Sequence, residues 1–274
     1  MSEILIQQIL DNFKPEYQQV PNKNDLFDWL ENFLTFLFPL QEKTYDELQI
    51  QLKSNQLEFT KMLSDMQLEL NQAQQKTDEF YQLTPQLLKN LQQDAHEFLS
   101  KDPAASCLGE ILHTYPGFYA IAIYRIAHIM AKDLSLEYVP RMLTEHAHSR
   151  TGIDIHPSAQ IDSPFFIDHG TGVVIGETCK IGKFVNIYQG VTLGALQVSK
   201  ELEGIKRHPT VEDHVVIYAN ATILGGNTIV GNNSVIGGNV FLTKSVAPYS
   251  MVFTKSETQI KAITSENEPI NFSI

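Results

Sequence analysis

Four short segments gather side chains able to move a proton or hold a charge: Asp102-Pro103, Asp154-Ile155-His156-Pro157, Asp168-His169-Gly170-Thr171-Gly172 and Arg207-His208-Pro209. Histidine titrates near neutrality, so His169 and His208 are the side chains best suited to acid–base work. The flanking carboxylates and Arg207 supply charge of both signs for orienting a ring or holding a polar substrate. Each residue also has an ordinary structural reading. A histidine in a turn is commonly solvated or packed, Asp102 before Pro103 fits a helix N-cap, and Asp154 can simply start a strand. His156 and His214 read as structural. Two cysteines, Cys107 and Cys179, make neither a disulfide framework nor a metal cluster, so no metal site is expected.

A repeat must position these groups. From Ile155 an aliphatic residue recurs every six positions: Ile155, Ile161, Ile167, then Ile175, Ile181, Ile187 and Leu193, and again Val211, Ile217, Leu224, Val230, Ile236 and Leu242. The register needs a slip of two residues before Ile175 and of one before Leu224. Four residues after each aliphatic comes a second series, mostly small or β-branched, including Ala159, Thr171, Cys179, Val191, Val215, Ala221 and Ser234. A period of six suits neither a helix nor an alternating strand. It suits a β-solenoid in which each hexapeptide forms one face of a triangular coil and aliphatic side chains stack inward in columns. Between Leu193 and Val211 the pattern stops, and Ala195 to Arg207 reads as a loop extruded from the coil, a common place for a site.

The segments before the repeat read as helices. Thr84-Pro85 and Asp102-Pro103 each resemble an N-cap followed by proline, and Gly152 suits a helix end just before the repeat. Leu52, Phe59 and Met66, with Leu63 and Leu70, form a heptad-like stripe suited to helix–helix packing, within the chain or, as the alternative, in an intersubunit coiled coil. The expected fold is α+β: a helical extension over 1–83, a helical domain over 84–152, a β-helix over 153–250 and a flexible tail over 251–274. A net charge of −12 argues against a nucleic-acid partner. The apolar stretch Gly117 to Met130 is too short to span a membrane, and Met1 to Lys14 lacks a signal-peptide pattern, so a cytoplasmic location is expected.

Taken together, Asp102-Pro103-Ala104, Asp154-Ile-His-Pro, Asp168-His-Gly-Thr-Gly-Val-Val-Ile-Gly-Glu, Gly190-Val-Thr-Leu-Gly and Arg207-His-Pro resemble the serine acetyltransferases, from about Pro85 to Pro248. The resemblance implies a left-handed coil, a homotrimer or dimer of trimers with the site between subunits, and acetyl transfer from acetyl-CoA to L-serine, the first step of cysteine biosynthesis. It implies His169 as general base, Asp154 as its orienting carboxylate and His208 as a second catalytic histidine. Arg207 would meet the serine carboxylate, and Asp168 and Asp102 its ammonium. Acetyl-CoA, a co-substrate and not a tightly bound cofactor, would pass Gly194 and Ala219. Feedback inhibition by L-cysteine is implied, as is insertion of a tail ending in Ile274 into O-acetylserine sulfhydrylase. The chain departs from the family pattern at Ala195, at Tyr218 and in the stretch from Val252 to Glu257.

Three other readings share the repeat: a sugar acetyltransferase, a metal-dependent hydratase of the γ-carbonic anhydrase type, and a non-catalytic trimeric scaffold. The hydratase needs three histidines on one zinc ion, and His169, His208 and His214 do not reproduce its spacing.

Overall fold

A computed structural model describes residues 2–14, 19–197 and 204–255. The coil runs past the expected boundary at 250, because Met251 and Val252 still pair with Val235 and Ile236; the rest of the expected tail from Ser256, with Ile274, lies outside the described residues, as do Lys200, Glu201 and Glu203 of the loop. The helices are α1 (Ser2–Asn12), α2 (Lys23–Leu37), α3 (Tyr45–Asp65), α4 (Leu70–Lys101), α5 (Leu108–Thr114), α6 (Pro116–Lys132) and α7 (Val139–Thr151). Among the described residues there follow fourteen short strands, β1 (Asp154–Ile155), β2 (Gln160–Ile161), β3 (Phe165–Ile167), β4 (Val174–Ile175), β5 (Lys180–Ile181), β6 (Val185–Ile187), β7 (Thr192–Gly194), β8 (Thr210–Val211), β9 (Val216–Ile217), β10 (Thr222–Leu224), β11 (Ile229–Val230), β12 (Val235–Ile236), β13 (Phe241–Leu242) and β14 (Met251–Val252).

The strands stack into three parallel sheets, ordered β1-β4-β7-β10-β13, β2-β5-β8-β11 and β3-β6-β9-β12-β14. These are the faces of a left-handed β-helix of about five coils. Register places Ile155, Ile175, Leu193, Ile223 and Leu242 in one column. A second holds Ile161, Ile181, Val211 and Val230, and a third Ile167, Ile187, Ile217, Ile236 and Val252.

The columns correct the expected register at both slips. Ile223, fully buried, stands where Leu224 was expected, so the extra residue falls after it, near Gly225. Likewise Val173 fills the small-residue position and Thr171 is exposed. The two additional residues of that turn are therefore part of the Asp168–Gly172 segment itself.

The helices close the open end of the coil, whose apolar core would otherwise meet water. Across that junction, Tyr124 donates to Ala159 O at 2.6 Å and His128 Nδ1 lies 2.8 Å from Pro157 O. Arg125, also on α6, donates to Asp94 of α4 at 2.5 and 2.8 Å, and to Ile161 O and Asp162 O. Asp94 in turn accepts from Phe165 N at 2.9 Å and Ser163 Oγ at 3.1 Å. Gly117 lets α6 press onto β3, because a Cβ there would lie 2.2 Å from Ile167 O. Further out, Trp29, Phe33, Phe59 and Phe80 join α2, α3 and α4.

Two helix starts differ from expectation. Thr84-Pro85 lies inside α4, which runs unbroken across the 83/84 boundary, and Thr84 Oγ1 bonds Phe80 O. Asp102 is the C-cap of α4 and not an N-cap; its side chain accepts Ala104 N at 2.8 Å in a local turn. Gly152 ends α7 with φ +72°, as its position suggested. The heptad-like stripe packs within the chain through Phe59, Leu63 and Met66, and is cut short where α3 ends, leaving Leu70 exposed.

Candidate active site

The coil has three edges, and the sequence-predicted residues divide between two of them. His169 stands in the turn from β3 to β4, where the third face meets the first. At this edge the position three residues after the inward aliphatic is left-handed at Gly170, Gly190, Asn220 and Asn239. The longer first turn makes His169 and Gly172 left-handed as well, with His169 at φ +56°. A non-glycine residue in that region is uncommon, and here it holds the imidazole out at 70% exposure. His169 Nδ1 lies 3.6 Å from Asp168 Oδ1, a near neighbour too far for a hydrogen bond. Asp102 reaches the same edge from the end of α4. Its Oδ2 accepts the Tyr115 hydroxyl at 2.7 Å. That bond, then the Ala104 N–H, and weakly the His169 ring, hold the Asp102 carboxyl below its usual range, while the same bond pushes the Tyr115 phenol up to about 12. One coil along, Tyr188 stacks on Tyr218 with ring centroids 5.1 Å apart, and Ala219 follows.

The second group sits where the first face meets the second. There His156, Thr178 and the return of the extruded loop stack on successive coils. His208 is buried, and its Nδ1 accepts the Thr178 backbone N–H at 3.1 Å and lies 2.9 Å from Thr178 Oγ1. A nitrogen that accepts a backbone N–H carries no proton, so the neutral ring holds its proton on Nε2. Burial, then the neighbouring Arg207 charge, pushes His208 down to about 4. His208 is therefore a neutral N–H donor near pH 7. Thr178 Oγ1 also accepts the backbone N–H of Arg207 at 2.9 Å and of His208 at 3.1 Å. The Arg207 guanidinium is paired with Glu177. Gly176 makes room for the ring, since a Cβ there would lie 2.0 Å from His208 Cδ2.

Several expected neighbours are not joined within one chain. Asp154, on β1, pairs at 3.5 Å with Arg141 and does not touch His169. Gly194 lies on the first face toward the His208 edge, packed by Leu224, whereas Ala219 lies on the His169 edge. His214 occupies the third edge, stacked on Phe184 at 4.8 Å, so His169, His208 and His214 each stand on a different edge. Glu145, His148 and Asp154 bring possible ligand atoms within 4.8 Å of one another, but the Arg141 guanidinium already pairs with both carboxylates. Cys179 is buried in the inward series, its thiol pushed up to about 12. Thr178, Tyr115 and Glu177 escaped the reading of the sequence as site residues. Only Glu177 lies in a quoted motif, and the partners of all three are 13 or more residues away.

No protein-family model matches the chain. It is 49% identical over 152 residues to the plasmid serine acetyltransferase of Synechococcus elongatus, covering 54% of this chain and 47% of that protein. The first curated relatives are thus matched over about half their length. Serine acetyltransferase 1 of Entamoeba histolytica, solved with L-cysteine, has a TM-score of 0.75 and 36% identity, over 82% of this chain and 86% of that one. The Neisseria gonorrhoeae serine acetyltransferase, solved with serine, gives 0.61 and 26%, over 90% and 97%. A serine acetyltransferase solved with CoA gives 0.57 and 25%, over 84% and 98%. With a relative at 36% identity matched over most of its length, and with the DHGTG turn and RHP return seated on adjoining edges of the coil, the chain belongs to the serine acetyltransferase family.

Proposed function

We propose that this chain transfers acetyl from acetyl-CoA to the hydroxyl of L-serine, giving O-acetyl-L-serine and CoA. The observation that carries this reading is the division of labour between the two histidines. One is exposed beside carboxylates; the other is buried as a neutral donor beside an arginine. A serine hydroxyl must lose its proton as it attacks the thioester carbonyl, and His169 takes it as general base. The tetrahedral oxyanion needs an N–H donor, which His208 Nε2 supplies. The CoA thiolate then leaves and recovers the proton from His169. Arg207, held in place by Glu177, meets the serine carboxylate, and Asp168 and Asp102 meet its ammonium. Asp154 orients His169 in the assembled enzyme, and acetyl-CoA runs past Gly194 and Ala219.

The reading includes a homotrimer, alone or paired as a dimer of trimers. In one chain His169 is open to water and the two groups face different directions; a threefold axis would bring the His169 edge of one protomer to the His208 edge of the next. L-cysteine, bound by the Entamoeba relative, would compete with L-serine for the same charged groups. Among the described residues no helix is long and apolar enough to cross a membrane, and both cysteines are unpaired, which suits the reducing cytoplasm.

Thiol release from acetyl-CoA by the purified chain, with L-serine, D-serine, L-homoserine and a galactoside as acceptors, tests the proposal. Release only with L-serine is expected, with His169→Ala lowering kcat by about 10²-fold or more. Release with the galactoside would replace the acceptor, and no release with any acceptor would overturn the reading in favour of a scaffold.

A further inference from the structure

Lys206 stands just before Arg207 and His208, where the chain returns to the coil and must set two side chains at once. An ammonium group has three N–H donors and no acceptor. All three are used on backbone carbonyls: Thr178 O at 2.8 Å, Pro209 O at 3.0 Å, and His208 O. Thr178 O belongs to the coil beneath, the other two to the returning segment. Among the described residues no carboxylate lies within ion-pair distance of the ammonium, and half-burial pulls its pKa down. A surface lysine keeps its charge in water; this one gives up hydration to tie two backbone segments together. The coil on the other side accommodates the arrangement, because a Cβ at Gly226 would lie 2.1 Å from Lys206 O.

The geometry assigns to Lys206 the role of a positioning residue: its ammonium pins the returning loop to the Thr178 turn and so keeps the His208 ring seated with Nε2–H as its free donor. The inference rests on the acetyl-transfer reading for its kinetic consequence, though not for its structural one. A small cation able to donate to the same carbonyls should fill the space that a truncated lysine leaves.

The test uses full-length Lys206→Ala and Lys206→Gln proteins. Acetyl transfer to L-serine is measured with ammonium, methylammonium or tetramethylammonium chloride at one ionic strength, alongside ¹⁵N-histidine NMR in which His208→Gln identifies the ring signal. Lys206→Ala should lower kcat about tenfold or more by displacing His208. Ammonium and methylammonium should restore part of it, while tetramethylammonium, which has no N–H, should not. Lys206→Gln, with two donors, should fall between. The His208 signal should stay in the neutral Nε2–H form at pH 5.5 in the native chain and titrate closer to 6.5 in the alanine variant. Native kcat and an unchanged ring signal in Lys206→Ala would overturn the assignment, as would a loss that neither ammonium nor glutamine relieves. Should the alanine variant not fold, the glutamine variant decides by the same two readouts. If the native chain transfers no acetyl, the function reading falls and the ring signal still judges Lys206.

Discussion

The chemistry at His208 depends on which nitrogen carries the proton, and that is settled by Thr178, thirty residues earlier. With Nδ1 accepting a backbone N–H, the ring can present only Nε2–H to a substrate, and burial keeps it neutral. The space for that ring is made by the absence of a side chain at Gly176. Gly176→Ala would put a methyl 2.0 Å from His208 Cδ2, so the ring must leave its bond to Thr178. The expected result is a kcat lower by about tenfold or more, with circular dichroism showing an unchanged fold. A fully active alanine variant would show that the seat at Thr178 does not matter. His169 and His208 were legible as candidates because their motifs are local in sequence. Thr178, Tyr115 and Lys206 were not, because their roles rest on bonds to other coils, another helix or backbone carbonyls, which leave no trace in residue type or spacing.

At the scale of elements, the hexapeptide period fixed the coil almost completely, since stacking demands an aliphatic residue at each inward position and tolerates little else. It failed at the slips, where a turn absorbs extra residues and the sequence offers Leu224 beside Ile223, or Thr171 beside Val173, with nothing local to choose between them, and at the end, where Val252 continues the third column beyond the expected boundary at 250. The helices were harder to delimit. Proline after threonine suggested a start at Thr84, yet α4 continues because its apolar face is buried on both sides of that point through Phe80, Leu87 and Leu91. The junction between helices and coil hangs on the buried Arg125–Asp94 pair, and Asp94 also holds Phe165 N. Removing one partner strands the other charge away from water. Arg125→Met should therefore cost about 3–5 kcal/mol of stability, read by urea denaturation. Arg125→Met with Asp94→Asn should recover part of that loss; a single substitution costing under about 1 kcal/mol would show the pair to be dispensable.

Across the whole molecule, burial holds four histidines below their ordinary range: His128, His146 and His156 as well as His208. The unfolded chain therefore binds protons that the folded chain refuses, and stability must fall as pH drops below about 6.5. For His208 the fall continues to about 4, and between pH 7.5 and 5.0 it amounts to roughly 2 kcal/mol from that ring alone. The urea midpoint should be lower at pH 5.0 than at 7.5 with the slope unchanged, and a flat midpoint would contradict the buried neutral rings. Above pH 7 these groups contribute their full effect, so no further gain from them is expected. Helix α4 links the scales. Its 32 residues make a rod about 48 Å long, bedded at one end among the N-terminal helices and carrying Asp102 at the other. A residue inserted before Glu69 changes only the length of a connection. One inserted between Asp94 and Asp102 would swing the carboxylate about 100° around the rod and advance it about 1.5 Å, away from His169. Evolution is thus free to lengthen the chain ahead of the rod, while within that stretch it can alter residues but not their number.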